Sequence, residues 1–313
     1  MENVKRLLRL GLAGLCILNL ISPAWAWGAK GHKLIVSAAL ADLPPVLPAF
    51  LRHANTALRF LTNEPDRWRE SGLTELNAEN APDHFINLER VPFASHWPRD
   101  RYGFIQALQQ RAAALSRQGH PREAAQLAPA KVGFNPYAAI EYYQRLLIAF
   151  QEYRAARARH LALGPFNAHV IETMGLLSHY VGDGSQPLHT TIQYNGWIGP
   201  DPAGFTRSHR IHAYFETVFV NRAVPADALR GRLVPPRRLA HPFRAYLQYL
   251  RVTHTQVIPL YRLNRQGAFR GRGSAAGRHF VIARLAAGAR MLADLVYTAW
   301  LNSARPPTRP LQF

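Results

Sequence analysis

Residues 166–189 read FNAHVIETMGLLSHYVGDGSQPLH. Apolar residues recur there at helical spacing to about residue 182, without the alternation of a half-buried strand. Gly182 and Gly184 are expected to break the helix, and Gln186-Pro187 then leads to His189 on a loop. His179 and Asp183 stand four apart, so a helix presents both on one face. The same periodicity continues outward in both directions. Candidate helices cover about 31–41, 46–60, 103–118, 136–161, 166–182, 208–221, 241–262 and 276–302. Asn135-Pro136 opens one of them with a capping residue followed by proline at the first helical position, and Gly164-Pro165 separates two others. Pro- or Gly-rich loops fall at 81–100, 119–135, 184–206, 224–240 and 264–277; none reads as an inter-domain linker, and no internal repeat is visible. The chain is expected to be all-α, a single compact multi-helix domain over residues 27–313.

The first 26 residues read as a secretory signal. Lys5, Arg6 and Arg9 precede an apolar core from Leu10 to Ile21, and Ala24-Trp25-Ala26 is a small-x-small cleavage pattern. The expectation is a secreted or periplasmic protein cleaved after Ala26, although a cut after Ala24 also fits. The apolar core is too short to favour a membrane span, and no later stretch reaches the roughly 18 apolar residues a span needs. The only cysteine, Cys16, lies inside the signal. A disulfide-free core must then rest on packing or on bound metal.

The formal charge is +19, from 38 Lys and Arg against 19 Asp and Glu, with Arg predominant. That balance fits nucleic acid, an anionic membrane surface or cell-envelope polymers, or a purely colloidal role. The stretch RLNRQGAFRGRGSAAGR, residues 262–278, is basic and glycine-rich. It is expected to be a solvated, mobile loop, with phosphate binding the minority reading.

A second His-x-x-x-acid pair, His212 and Glu216, lies in RIHAYFETVF. One such pair often makes only a salt bridge. Two pairs with His189 between them form the N/O donor set that zinc uses. NEPDRWRE presents Asp66 beside Arg67 and Arg69, and APDHFINLE presents His84 beside Asp83. Alone, these would be a structural acid and a core histidine. The remaining histidines fit no ligand position, with His209 a competitor for His212.

Read in order, Trp27-x4-His32, Pro65-Asp66-x2-Arg69, His84-Phe85-Ile86-Asn87, His179-x3-Asp183-x5-His189 and His212-x3-Glu216 resemble the zinc-dependent phospholipase C and S-one/P-one nuclease superfamily. The resemblance runs from Trp27 to Glu216 and leans toward the nuclease branch. It implies an all-helical domain around a cleft holding three zinc ions per chain. Asp66, His84, His179 and Asp183 would hold one ion, and His189, His212 and Glu216 a second. His32, Asp183 as a bridge, and the α-amino group and carbonyl of Trp27 would hold the third. Trp27 can serve only after cleavage, because a free α-amine can lose its proton and bind metal. The implied reaction is phosphate-ester hydrolysis by a zinc-bridged hydroxide. Asp66, Arg69 and Asp183 are the catalytic candidates: Asp66 orients the attacking water, and Arg69 neutralises phosphate charge.

The substrate is less determined. Glu216, where the nucleases usually have Asp, leans toward the phospholipases. The long spacing from His189 to His212 leans toward the nucleases. Lys30 and Arg67 stand where the phospholipases build a choline pocket and would repel a cationic headgroup. Phe85 matches a base-stacking residue, and Asn87 replaces a base-reading Asp; with Lys30 these are the substrate-binding candidates. The aromatic loop TTIQYNGWIG, residues 190–199, could line a cleft or simply cover the metals. The first expectation is a monomeric, exported nuclease and phosphodiesterase acting on single-stranded DNA, RNA or nucleotides. A phospholipase C for a non-choline phospholipid is the alternative, and a non-catalytic basic protein stabilised by zinc is the third reading.

Overall fold

The computed structural model describes residues 27–93, 96–201 and 203–306. Residues 1–26, the segment expected to be a cleaved secretory signal, lie outside the described residues. The described residues are 66% helical, and no strand occurs among them. The principal helices are α1 (Gly28–Ala41), α2 (Asn55–Leu61), α3 (Arg101–Arg117), α4 (Asn135–Ala158), α5 (Gly164–Asp183), α6 (Pro242–His254), α7 (Val257–Arg265) and α8 (Ala275–Asn302). None is both long and apolar enough to cross a membrane.

Helix α5 occupies the centre. Every residue from Thr173 through Asp183 is buried, as required of a helix covered on all sides. Helices α1, α2, α4 and α8 pack around it. Two glycines permit that crowding. A Cβ on Gly175 would lie 2.4 Å from Cβ of Leu61, and one on Gly182 would lie 2.7 Å from Nδ1 of His32. Gly182 therefore lets α1 bring His32 against the end of α5. The helix ends within one residue of the predicted place: α5 runs through Gly182 to Asp183 and stops at Gly184, the residue that follows it.

Asn135 departs from its predicted role. It makes no cap hydrogen bond in α4. Its buried amide instead donates to the carbonyl of Tyr180 at 3.0 Å, and its Oδ1 accepts from the Tyr246 hydroxyl at 2.9 Å. It ties α4 to α5 and α6. The predicted helix 241–262 is two helices, parted at Thr255 and Gln256. The predicted helix 208–221 becomes a run over 211–223 that holds a π-helical segment, Tyr214–Phe219. The 262–278 stretch is anchored by buried Ala268 and Phe269. Ser274 caps α8, accepting from the Gly277 N–H at 3.1 Å, so only part of this loop is solvated.

Candidate metal centre

Five elements converge on the end of α5. His32 comes from α1, Asp66 from the turn Glu64–Arg67, and His84 from the 3-10 turn Ala81–His84. His179 and Asp183 form the last turn of α5, and His189 closes the turn Pro187–His189. His212 and Glu216 flank the start of the π segment, a feature frequent at functional sites. None of these eight side chains is more than 7% exposed.

Their donor atoms form three groups, each within 4.8 Å: His32, His179 and Asp183; Asp66, His84 and His179; His189, His212 and Glu216. Asp183 faces two ways. Its Oδ1 is 3.3 Å from Nε2 of His32, and its Oδ2 is 3.0 Å from Nδ1 of His84 and 3.4 Å from Nε2 of His179. Asp66 Oδ1 lies 3.9 Å from both His84 and His179. At the other end, Glu216 Oε2 is 2.8 Å from Nε2 of His212 and 3.6 Å from Nε2 of His189. Ligands around a tetrahedral ion bound at about 2.1 Å stand roughly 3.4 Å apart. The observed spacings bracket that value.

Hydrogen bonds behind the rings aim the nitrogens inward. Nδ1 of His179 donates to the Thr62 carbonyl at 2.8 Å, and Nδ1 of His189 to the His84 carbonyl at 2.7 Å. The lone pair of each is thereby placed on Nε2. His179 Nε2 then faces His84 Nδ1 at 3.0 Å, and His189 Nε2 faces His212 Nε2 at 3.1 Å. Backbone acceptors orienting imidazoles in this way are what a metal site requires. Asn80 steadies the His84 ring, its amide nitrogen 3.1 Å from Nε2 while donating to the Pro65 carbonyl at 2.8 Å. Gln186 donates to Glu216 Oε2 at 3.0 Å.

Charge also calls for cations. Burial pushes the Asp183 carboxyl well above its usual range, with His189 and Arg69 only partly opposing. Burial likewise pushes Asp66 up to about 7, partly offset by His32. Burial drives His84 and His179 well below the ordinary imidazole range, aided by Arg69 on His84 and by His32 on His179. Neutral imidazoles cannot compensate these carboxylates. Both oxygens of Asp66, Oδ1 of Asp183 and Oε1 of Glu216 accept no hydrogen bond among the described residues. The donor set therefore fits metal ions.

A cavity of about 360 Å³ opens on His84, His189 and His212, and its walls include Arg69, Phe85, Asn87, Arg90, Lys131 and Tyr194. One guanidinium nitrogen of Arg69 lies 3.6 Å from Asp66 Oδ1. Phe85 and Asn87, the substrate-binding candidates, both line this cavity, and the Asn87 amide donates to the Lys131 carbonyl at 2.8 Å. Lys30 does not line this cavity; its Nζ donates to the Asn221 carbonyl at 3.2 Å. Arg67 is also turned away, paired with Glu64 and stacked over Phe60 at 4.4 Å. Arg90 and Lys131 supply the additional cations instead. Of the aromatic loop, Tyr194 lines the cavity, whereas Trp197 packs on Phe205 and Tyr261.

Trp27 is fully buried. Its indole donates to the Gly182 carbonyl at 2.9 Å and to Ser185 Oγ at 2.7 Å, beside Asp183. Its own carbonyl accepts from the Gly31 N–H at 3.1 Å. His209 is exposed and apart from the groups. Compared with models of protein families the chain matches none, and a search of curated proteins finds no match.

Proposed function

We propose that this protein is an exported zinc-dependent phosphodiesterase, similar to the phospholipase C and S-one/P-one nuclease superfamily, that cleaves single-stranded nucleic acid or nucleotides. The observation that carries the reading is the convergence of oriented imidazole lone pairs and uncompensated carboxylates beneath a cavity walled by Arg69. His-rich N/O donor sets suit zinc.

Zinc, when bound, supplies a water of lowered pKa and a Lewis acid for the phosphate oxygens. Asp66, His84, His179 and Asp183 would hold one ion, and His189, His212 and Glu216 a second. His32 and Asp183 would hold a third, together with the Trp27 amine once cleavage after Ala26 frees it. The chain's own contributions are positional and electrostatic. Arg69 places a fixed positive charge at the cavity wall, where charge grows on phosphorus oxygens during displacement. The carboxyl of Asp66, beside Arg69, would orient the attacking water. Phe85 offers a stacking face to a base, worth about 1–3 kcal/mol in single-strand binders.

The test combines metal analysis with a substrate panel: single-stranded DNA, RNA and mixed phospholipid vesicles, with and without chelator. Two or more zinc ions per chain and chelator-sensitive cleavage of the nucleic acids are expected. Fewer than two ions, or turnover insensitive to chelator, would overturn the reading. Cleavage of vesicle lipid alone would replace the nuclease by a phospholipase.

A further inference from the structure

Between Asp227 and Asp294 the chain carries 13 arginines and no acidic residue. Two of them lie on α6, where Arg244, Gln248 and Arg251 are exposed along one face. Position 248, one turn beyond Arg244, is where a solvated helix would place a pairing acid, and a neutral glutamine stands there. That face walls a hollow of about 780 Å³, lined also by His96, Trp97, Arg99 and His241. No carboxylate lines it, and it shares no lining residue with the metal cavity. Asp100, beside Arg99, is occupied in capping α3, where it accepts from the Gly103 N–H at 2.8 Å. The volume is that of a small-molecule site, roughly 300–1,000 Å³.

Two further features point to an anion. The first turn of α6 opens on the hollow, since His241, Pro242, Phe243 and Arg244 all line it. The N-cap residue His241 makes no side-chain cap hydrogen bond. Amides of a first helical turn have no partner within the helix, so those of Phe243 and Arg244 bring the positive end of a 13-residue helix to this place. Trp97 supplies the second feature. It is 9% exposed, and its indole N–H finds no acceptor among the described residues. The ring is held in place, stacked on Phe104 with centroids 5.7 Å apart. A buried donor left unpaired costs free energy, which an oxygen of a bound ligand would recover.

Charge sets the class of ligand. One phosphoryl group carries about −1.5 to −2 at neutral pH, less than three guanidinium groups and a helix N-terminus can balance. Two joined phosphoryl groups match them, and Trp97, Phe243 and Leu247 leave an apolar wall for an organic remainder. We propose that this hollow is a second ligand site, separate from the metals, that holds a diphosphate group between Arg99 and the head of α6. None of the eight metal-centre side chains lines it, so the ligand is bound there without being cleaved. The site stands whether or not the metal centre hydrolyses phosphate esters.

Inorganic diphosphate, titrated into the purified zinc-loaded protein, is followed through the indole N–H resonance of Trp97, which its disappearance in Trp97→Phe assigns. The resonance should shift saturably. The double variant Arg99→Ala/Arg244→Ala, in which both exposed side chains are lost, should raise the half-saturating concentration about tenfold or more, as losing charged hydrogen bonds does. Each single variant should show a smaller loss in the same direction, and Arg69→Ala, at the metal cavity, should leave the titration unchanged. Orthophosphate should bind about tenfold more weakly than diphosphate, having fewer charged contacts. Geranyl diphosphate binding more tightly than the inorganic ion would identify an organic diphosphate as the source, and equal binding the free ion; either result upholds the site. An unmoved Trp97 resonance, equal half-saturation in wild type and the double variant, or orthophosphate binding as tightly as diphosphate would overturn the proposal.

Discussion

The two ends of the candidate metal cleft are equally buried, yet their carboxyls shift in opposite directions. At the inner end, burial raises Asp183 well above its usual range and Asp66 to about 7. At the outer end, burial would raise Glu216 as well, yet the His212 and His189 imidazoles outweigh it and hold that carboxyl down to about 2. The difference is hydrogen bonding at close range. Glu216 Oε2 has His212 at 2.8 Å and the Gln186 amide at 3.0 Å. The oxygens of Asp66 accept no hydrogen bond among the described residues, and the nearby His84 and His179 are too deeply buried to carry charge. Depth alone does not set the charge of a carboxylate; its nearest donors do. The outer end is electrostatically balanced by its own residues, whereas the inner end depends on cations from outside.

The largest effect should come from Asp183→Asn, which removes the one carboxylate facing two donor groups. Hydrolysis should fall to background and zinc per chain should drop in the same preparation. Full zinc and full rate in that variant would break the comparison at its centre. Next, Arg69→Ala should lower kcat by about 10²–10³, the usual cost of losing a charge-stabilising donor, with zinc content unchanged by metal analysis. If zinc is lost too, Arg69 belongs to the electrostatics of the inner end rather than to catalysis. Asn80→Ala should then weaken zinc at the inner end by about 10–100-fold, the range for partners that orient a ligand, measured by competition with a chelator. Gln186→Ala should do the same at the outer end only.

The smallest effect is a change in pH dependence. In chelator, the raised carboxyls of Asp66 and Asp183 keep their protons in the native state at pH values where unfolded carboxyls have lost them, which favours lower pH. The lowered imidazoles of His84 and His179 bind protons only in the unfolded chain below about pH 6.5, which favours higher pH, so the two contributions oppose and stability should change little. With zinc bound, metal binding would displace the carboxyl protons, so stability should rise over the same interval. Melting temperatures at pH 4.5 to 7.5 should be nearly flat with chelator and rise without it. Parallel curves would mean that the inner carboxyls do not depend on a cation.

Helical periodicity explains both what is legible along the chain and what misleads. His179 and Asp183, and His212 and Glu216, are four apart and do share a face. Arg69, three residues after Asp66, approaches it as that spacing predicts. Arg67, one residue after Asp66, does not, because adjacent helical residues diverge; it turns to Phe60 and Glu64. Lys30 is two positions before His32 on α1 and faces Asn221 instead. Spacing, not nearness in sequence, carries the information. Asn80 and the carbonyls of Thr62 and His84 are not legible, since a backbone acceptor leaves no mark in side-chain identity. The glycines of VGDG read as stops because glycine is costly within a helix. The helix does end between them, and both also admit a close approach, Gly182 of His32 and Gly184 of Tyr246.

By itself the sequence determined an all-α chain, the types and order of the buried donors, and the surplus of arginine. These follow from local periodicity and residue chemistry, which need no knowledge of neighbours. Only the tertiary structure decided how the donors divide into three groups, which carboxyls are raised and which lowered, and which arginines face the cavity. Those properties depend on which residues the fold brings to one place, as it brings Arg99 and Arg244 to the same hollow from distant parts of the chain, and no spacing rule encodes them.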